Sequence, residues 1–390
     1  MPLSSFKPDN YNALLDEKAE RVQQLFAPLL AQNNQPNEQT VPFNVFESPT
    51  SAFRCRAEFR FWHNDDDSFY AMFEQGKNDI PIRMDTFPIA HKHIQTLMPL
   101  CKAAVVDHEI LRHKLFQVEF LTTLSNQNLV TLIYHKRLDE QWQQEAEQLQ
   151  ILLNQQLNDI FGTEKQAIVK IIGRSRKQKI TLVDDHVDEC LNVDGLQLHY
   201  RQIEGSFTQP NAIVNQHMLT WARQECVNLN QHTDLLELYC GNGNFTAALA
   251  PYFNNVLATE ISKSSVRAAQ HNFIENHIDN VSVCRLSSEE ITEALNKTRA
   301  FRRLKQQNID LDSYNFSTVF VDPPRAGLDD RTLELVGRFE NIIYVSCNPD
   351  TLANNLKVLT RTHAIKSTAM FDQFPYTHHI ETAVVLGKIT

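Results

Sequence analysis

A cysteine ends a short apolar run near the carboxyl terminus of the sequence. Residues 342–345 are apolar, and Ser346, Cys347, Asn348 and Pro349 follow them. An aliphatic and aromatic run of this length predicts a buried strand, and Asn-Pro predicts its end. Because ligands of open α/β sheets bind at the carboxyl ends of strands, Cys347 is a candidate nucleophile. The alternative is a small buried core cysteine, which is the commoner role of this residue type.

Glu381 is the candidate proton acceptor for chemistry at such a thiol. A thiolate that adds to carbon 6 of a uracil makes carbon 5 nucleophilic enough to attack an activated methyl group. A base must then remove the proton from carbon 5 so that the thiol can leave. Glu381 begins the last predicted strand. Taken alone, it has the alternative interpretation of a charged residue on an exposed strand.

A glycine-rich turn follows the strand predicted at residues 235–239. Only ten of the 390 residues are glycines, and Gly241 and Gly243 are two of them. Glycines at this place let the backbone turn sharply and approach a ligand. Glu260 ends the next predicted strand, where an acidic side chain can accept hydrogen bonds from both hydroxyls of a ribose. Thr246 replaces the third glycine of a dinucleotide fingerprint, which favours S-adenosylmethionine, a ligand without phosphate; the alternative is a plain tight turn.

An acidic proline-rich segment, Asp322-Pro323-Pro324-Arg325, ends another predicted strand. The prolines stiffen the backbone and would direct the acid into the mouth of a cleft. Methyltransferases that act on exocyclic amines of bases use a similar motif followed by an aromatic residue, and Arg325 stands at that position here. A rigid loop with a helix-capping acid is the other interpretation.

Metal-site motifs are missing from the sequence. The seven cysteines include no C-x-x-C pair, and the H-x-E formed by His379 and Glu381 lacks the P-C-x-x-C partner of zinc deaminases. We therefore expect no metal ion and no iron–sulfur cluster.

Two halves with different patterns position these residues. From about residue 208, helices and strands alternate, which predicts an α/β, mostly parallel, doubly wound sheet, and residues 365–371 and 380–386 predict a terminal antiparallel hairpin. The first half predicts an α+β arrangement, with a helix over residues 1–31, a linker over 32–49 and three β-hairpins. We expect an N-terminal domain over residues 1–200 and a catalytic domain over 201–390.

Composition narrows the function classes. The net charge of −10 argues against indiscriminate binding of nucleic acid but leaves room for a local basic patch. No apolar stretch approaches the ~18 residues of a membrane span, and no signal peptide is evident at Met1. We expect a cytoplasmic protein without a membrane association or an obligate protein partner, present as a monomer.

At these residues the chain resembles the tRNA (uracil-5-)-methyltransferases over nearly its whole length. The resemblance is carried by five segments: SFTQPN at 206–211, LLELYCGNGNF at 235–245, FVDPPR at 320–325, SCNPDTL at 346–352 and FDQFPYTHHIE at 371–381. It implies a Rossmann-like class I S-adenosylmethionine-dependent methyltransferase domain. Relatives that act on ribosomal RNA often add an N-terminal β-barrel and an iron–sulfur cluster, and the sequence offers neither, which favours tRNA as the substrate.

The resemblance also implies roles for individual residues. It implies that S-adenosylmethionine is contacted by Gln209, Tyr239, Asn244, Glu260 and Asp322. It implies Cys347 as the nucleophile and Glu381 as the proton acceptor.

The substrate that the resemblance implies is the T-loop uridine at position 54 of tRNA, which becomes 5-methyluridine, with the matching loop of transfer-messenger RNA as a further substrate. The N-terminal half would bind the T-arm, with Arg60 and Phe116 as contacts, because single-stranded loops are bound by aromatic stacking and cations. Two alternatives stay open: an exocyclic-amine methyltransferase, and a non-catalytic RNA-binding or RNA-folding protein.

Overall fold

The computed structural model describes residues 6–33, 40–64, 67–74, 76–162, 166–229 and 233–389. The helices are α1 (Tyr11–Asn33), α2 (Lys92–Asp107), α3 (Glu109–Arg112), α4 (Glu140–Phe161), α5 (Ala212–Val227), α6 (Asn244–Leu249), α7 (Lys263–Glu275), α8 (Ser288–Leu295), α9 (Arg302–Gln306), α10 (Asp330–Val336) and α11 (Pro349–Leu359). None of these helices, within the described ranges, is long and apolar enough to cross a membrane.

Seventeen strands are present in the described part of the chain. The first eight are β1 (Phe43–Phe46), β2 (Arg56–Asn64), β3 (Asp67–Glu74), β4 (Lys77–Arg83), β5 (Leu115–Thr122), β6 (Gln127–Tyr134), β7 (Ile168–Ser175) and β8 (Gln178–Thr181). The others are β9 (His186–Val193), β10 (Leu196–Ile203), β11 (Asp234–Leu238), β12 (Val256–Thr259), β13 (Val281–Cys284), β14 (Phe316–Val321), β15 (Asn341–Ser346), β16 (His363–Phe371) and β17 (Glu381–Lys388).

The chain forms two compact units that do not follow a single boundary. The first consists of residues 1–8, 49–190 and 202–212, and the second of residues 9–48, 191–201 and 213–390. The expected boundary at residues 200 and 201 differs from this division mainly because residues 9–48 belong to the second unit. There β1, inside the segment expected to be a linker, pairs in parallel with β16, and α1 packs against α11 and β16. Residues 34–39 of that expected linker lie outside the described residues.

The first unit is built on a seven-stranded sheet in the order β4-β3-β2-β5-β6-β7-β8. All neighbouring strands are antiparallel except β6 and β7. The three expected hairpins are present as β2–β3, β5–β6 and β7–β8. In β2 the aromatic residues Phe59 and Phe61 are buried and Arg60 is exposed, so the strand has one apolar and one charged face.

The second unit is built on an eight-stranded sheet in the order β1-β16-β17-β15-β14-β11-β12-β13. Strands β15, β14, β11, β12 and β13 are parallel, and β17 pairs antiparallel with both β15 and β16. Strands β11, β12, β14 and β15 are almost fully buried, as expected for a sheet covered on both faces. The expected α/β class, with its doubly wound sheet and terminal antiparallel hairpin, is confirmed. The last strand, β17, lies inside the sheet rather than at its edge.

Candidate active site

Cys347 lies in a sharp turn between β15 and α11. Five of the six residues of β15 are buried, and the strand ends at Ser346. The side chain of Asn348 caps α11, and Pro349 occupies the first turn of that helix. Cys347 is therefore the single residue between the end of β15 and the cap of α11. Its thiol is half-buried.

Glu381 lies next to Cys347 across the ladder of β15 and β17. The last pair of this antiparallel ladder joins Ser346 to Thr382, and the Thr382 hydroxyl donates to the Ser346 carbonyl at 3.3 Å. One residue beyond that pair lie Cys347, the first residue after β15, and Glu381, the first residue of β17. Opposite positions of an antiparallel ladder have Cα atoms about 4.5–5.5 Å apart, so the thiol and the carboxyl group are neighbours.

The registers of the parallel strands extend this arrangement along the sheet. Val321 of β14 pairs with Tyr344 of β15, and Leu238 of β11 pairs with both Val321 and Thr259. The chain positions that follow Val321, Leu238 and Thr259 therefore lie at one edge of the sheet.

Five of the seven site residues expected from the sequence occupy this edge. In the order of the strands they are Glu381, Cys347, Asp322, Tyr239 and Glu260. Strands are spaced about 4.8 Å apart, so Cys347 and Glu260 are separated by roughly 14 Å across the sheet. The two candidate catalytic residues are at one end of this row and the candidate ribose-binding acid is at the other.

Burial dominates the electrostatics at the catalytic end of the row. Burial, and secondly Asp322, raise the pKa of Glu381 well above its usual range, and burial raises the pKa of Asp322 to about 7. Burial raises the pKa of Cys347 to about 11, with Glu381 and Asp322 adding to the increase and Arg325 opposing it. The thiol is therefore protonated at neutral pH, and only about one molecule in 10⁴ carries the thiolate at pH 7.

The glycine-rich turn leaves room for a ligand. Gly241 and Gly243 have φ values of 56° and 80°, which disfavour other residues. A Cβ atom on Gly243 would lie 2.7 Å from Cε1 of Phe273, so this glycine is needed for packing. A Cβ atom on Gly241 would meet nothing within 4 Å. Open space beside Gly241 fits the close approach of a cofactor.

The carboxylate of Glu260 is fixed beside this space. One oxygen accepts a hydrogen bond from the amide of Gly241 at 3.1 Å, and the other accepts from the amide of Ser262 at 2.7 Å. Each carboxylate oxygen has further acceptor capacity, so both remain able to bind ribose hydroxyls. Tyr239, half-buried beside it, has a φ of 62°, a conformation rare for residues other than glycine and typical of functional sites.

The other two expected cofactor residues are placed differently. Asn244 begins α6, and its side-chain amide forms a reciprocal pair with that of Asn215 at 2.9 and 3.0 Å. Gln209 belongs to the first unit, where it is half-buried in the segment after β10. The row at the sheet edge therefore contains three of the five residues expected to contact S-adenosylmethionine.

A buried acid in β11 was not among the seven site residues expected from the sequence, although it precedes the glycine-rich turn by four residues. Glu237 is 1% exposed, and burial raises its pKa to about 8, with Thr246 opposing and Asp322 adding to the increase. Its partner in β14 is Phe320, two residues before Asp322 on the same face of the sheet. An acid inside the apolar run of residues 235–239, directly before the glycine-rich turn, was the signal that marks it as a site residue.

No group of three or more His, Cys, Asp or Glu side chains that could hold a metal ion is present among the described residues. His378 and His379 are in ring contact with each other, 4.4 Å between centroids, without such a group around them.

Comparison with known proteins gives closely related sequences. The family model described as tRNA (Uracil-5-)-methyltransferase matches residues 10–389. A tRNA/tmRNA (uracil-C(5))-methyltransferase of Acinetobacter baylyi is 52% identical over 382 residues, 97% of this chain and 99% of that protein. The protein of the same description from Cellvibrio japonicus is 52% identical over 381 residues, 97% and 96% of the two chains.

The fold also matches a solved structure. The crystal structure of a Pyrococcus abyssi tRNA (uracil-54, C5)-methyltransferase in complex with S-adenosyl-L-homocysteine aligns with a TM-score of 0.67. The alignment covers 97% of this chain and 83% of that chain at 19% sequence identity. At this identity the match establishes a shared fold.

Proposed function

The chain belongs to the tRNA (uracil-5-)-methyltransferase family, and we propose that it methylates carbon 5 of the T-loop uridine at position 54 through a covalent adduct on Cys347. It is an S-adenosylmethionine-dependent enzyme that acts on uracil in tRNA. The observation that carries the covalent mechanism is the placement of Cys347 and Glu381 at neighbouring ends of β15 and β17, next to Asp322.

In the proposed mechanism Cys347 and Glu381 act in sequence. The thiolate of Cys347 adds to carbon 6 of the uracil, and the electron pair of the C5–C6 bond moves to carbon 5 and the adjacent carbonyl. After carbon 5 has gained its methyl group, Glu381 accepts the proton from carbon 5. The C5–C6 double bond reforms and the thiolate leaves. Glu381 suits this task because its raised pKa makes its carboxylate a stronger base than an exposed one.

S-adenosylmethionine supplies an electrophilic methyl group when it is bound. Glu260 would bind the ribose hydroxyls, Gly241 would allow close approach of the backbone, and Tyr239 and Asp322 lie along the row between Glu260 and Cys347. We propose Gln209 and Asn244 as further contacts, on the resemblance of their motifs alone. No metal ion is part of this mechanism.

The covalent step is tested with T-arm RNA that carries 5-fluorouridine at position 54. Fluorine cannot leave carbon 5 as a proton does, so we expect a methylated protein–RNA complex that survives denaturing electrophoresis. Cys347→Ala should form none. Cys190→Ala is the matched control, because Cys190 is the other half-exposed cysteine of the described residues and should form the complex normally. An adduct in Cys347→Ala, or none in the unaltered protein, would overturn the mechanism.

Position 54 and transfer-messenger RNA are further parts of the proposal. The curated relatives carry both tRNA and tmRNA in their descriptions, which supports testing both substrates. We expect methyl incorporation into T-arm transcripts of either RNA and none when uridine 54 is replaced by cytidine. Incorporation that persists in the cytidine transcript would place the target elsewhere. The cytoplasmic location and the monomeric state stay predictions.

We propose that the first unit binds the T-arm through a stack on its sheet. The guanidinium of Arg60 lies 3.5 Å from the ring centroid of Phe116, whose other partner is the ring of His135 at 4.0 Å. Arg60 and His135 are exposed, and such stacked cations and rings are the groups that bind unpaired bases and phosphates.

Arg60→Ala should therefore raise KM for T-arm RNA about tenfold at unchanged kcat, as expected for the loss of ~1–3 kcal/mol of stacking. Arg83→Ala is the control, because Arg83 is an exposed arginine of the same sheet that is already paired with Asp67 and Asp85. Equal effects of the two substitutions would remove Arg60 from the interface.

A further inference from the structure

Helix α1 carries a lysine within its buried face. Tyr11, Leu15, Val22 and Phe26 recur at helical spacing and are at most 6% exposed. Lys18 lies in the same stripe and is only 7% exposed. The sequence predicted a helix here but gave this lysine no role.

Lys18 is bound by the chain segment that leads to Glu381. Its Nζ atom donates to Oδ1 of Asp372 at 2.6 Å and to the carbonyl of Phe374 at 3.0 Å. Asp372 is 2% exposed, so both members of this ion pair are removed from water. Burial lowers the pKa of Lys18, and Asp372 acts in the opposite direction.

A buried ion pair is a poor device for stability alone. The loss of hydration of both charges offsets their attraction, and apolar pairs of similar volume often serve as well. What the pair does provide is a fixed geometry, because the lysine must meet one carboxylate oxygen and one carbonyl at the same time. A geometric role therefore accounts for this pair better than a stabilising role.

The segment fixed in this way has no regular structure of its own. Residues 372–380 connect β16 to β17, and Phe371 pairs with Glu381 across those strands. Tyr376 in the middle of the segment has a φ of 62°, and its ring packs edge-on against Tyr11 of α1 at 6.1 Å. One helix thus contacts the segment at its beginning and at its strained centre.

The next turn of α1 also contacts the helix that follows Cys347. Arg21 donates to Asp350 in the first turn of α11 at 2.7 Å, three residues after Cys347. Both side chains are about half exposed, so this ion pair is weaker than that of Lys18.

We propose that Lys18 is a positioning residue for the proton acceptor: through Asp372 and the Phe374 carbonyl it holds the segment that places Glu381 beside Cys347. The proposal rests on the proposed role of Glu381. Loss of Lys18 should then slow the release of the methylated RNA from Cys347 and leave formation of the adduct almost unchanged.

The test compares Lys18→Met with Lys170→Met. Lys170 is a matched control in the first unit, because its Nζ atom also binds one carboxylate, Asp184, and the carbonyl two residues later, that of His186. Two rates are measured for each folded variant: formation of the complex with 5-fluorouridine RNA, and decay of the complex with ordinary T-arm RNA in a single turnover.

For Lys18→Met we expect the decay to slow at least tenfold, the ordinary adduct to accumulate, and the formation rate to stay within threefold. Lys18→Arg should recover most of the decay rate, since a guanidinium can bind both oxygens. If Lys18→Met does not fold, the double variant Lys18→Met with Asp372→Leu replaces it, because it leaves no buried unpaired charge. The covalent complex of the double variant should still decay slowly.

The proposal is overturned if the decay rate of the lysine variant equals that of Lys170→Met, if formation and decay fall by the same factor, or if the double substitution restores decay. Failure of the proposed function would look different, because the unaltered protein would then form no 5-fluorouridine complex.

Discussion

The thiol of Cys347 and the carboxyl groups of Asp322 and Glu381 share one desolvated place at the sheet edge. Each of the three has a pKa raised mainly by burial; Asp322 further raises the pKa of Glu381 and of Cys347, and Glu381 further raises that of Cys347. The site is therefore held mostly neutral before substrates bind. Both groups that act in the proposed mechanism must lose a proton before they act, so their reactive forms become more abundant as the pH rises.

The rate of adduct formation should accordingly rise with pH. Below a thiol pKa of about 11, the thiolate fraction grows about tenfold per pH unit. We expect the single-turnover rate with 5-fluorouridine RNA to rise steadily from pH 6 to pH 9. A rate that is constant over that range would mean that the bound substrates lower the thiol pKa below 6 or that another step limits the reaction.

Glu381→Gln should separate the two halves of the mechanism. The amide has a similar shape but cannot accept the proton, so kcat should fall by about 10²–10⁴ while the covalent complex still forms. Denaturing electrophoresis of reactions with ordinary T-arm RNA should show the adduct enriched over the unaltered protein. Unchanged turnover would exclude Glu381 as the proton acceptor.

At the scale of elements, the loop after β14 is held by α11. Asn355 of α11 accepts hydrogen bonds from the Leu328 amide at 3.1 Å and from the Tyr344 hydroxyl at 2.7 Å. Gly327 has a φ of 78°, and a Cβ atom there would clash with the Thr351 side chain and lie 2.8 Å from Oδ1 of Asn355. Helix α11 thus links the end of β14, which bears Asp322, to the end of β15, which bears Cys347.

Gly327→Ala should disturb this link and lower activity. Backbone strain and the clash together should cost about 1–3 kcal/mol of stability, and displacement of the loop should reduce kcat by tenfold or more. Gly195→Ala is the control, because Gly195 has a similar φ of 80° but open space around it. Thermal unfolding should show a lowered melting temperature for both variants. Turnover should fall only for Gly327→Ala. Equal kcat values would contradict the role of the loop.

The sequence predicted the elements that have strong local signals. The alternation after residue 208 located β11, β12, β14 and β15 because fully buried strands are continuous apolar runs. Strands β9 and β10 were not predicted, although Asp194-Gly195 is a typical hairpin turn and β9 alternates in burial. The four residues of β1, Phe43–Phe46, were taken for linker because the run is short and follows a stretch rich in Pro, Asn and Gln. The surface against which α1 packs could not be predicted, since it depends on tertiary contacts with residues far away in the sequence.

At the scale of the whole molecule, the catalytic unit is assembled from distant parts of the chain. Residues 9–48 supply β1 at one edge of the sheet and α1, which covers α11 and β16. The sequence located the carboxyl-edge residues because each follows its own strand. It could not show that the edge strand and the helix behind Glu381 come from the opposite end of the chain.

A fragment of residues 201–390 should therefore fail to fold cooperatively, because β16 loses its partner strand β1 and α11 loses the helix α1 that packs against it. The same region extended to residues 191–390 and joined by a long Gly/Ser linker to residues 9–48 should regain a single unfolding transition. Circular dichroism during heating distinguishes the two. A cooperative transition in the shorter fragment would show that α1 and β1 are dispensable.

The buried acid Glu237 has a consequence for the protein as a thermodynamic system. Burial raises the pKa of Glu237 to about 8 in the folded protein, against an ordinary value of 4.5 in the unfolded chain, so between those pH values the folded state holds a proton that the unfolded state releases. The contribution of Glu237 to the free energy of unfolding is therefore greatest below pH 4.5. It falls by up to roughly 5 kcal/mol as the pH rises from 4.5 to 8. Glu237→Gln should be more stable than the unaltered protein at pH 8.

Calorimetric unfolding at pH 6 in buffers of different ionisation enthalpy counts the protons released, and Glu237→Gln should release about one fewer. An equal count would mean that Glu237 is ionised in the folded protein. If the variant releases one proton fewer, Glu237 of β11 takes up a proton each time the protein folds. Each unfolding event then releases that proton and makes the solution slightly more acidic.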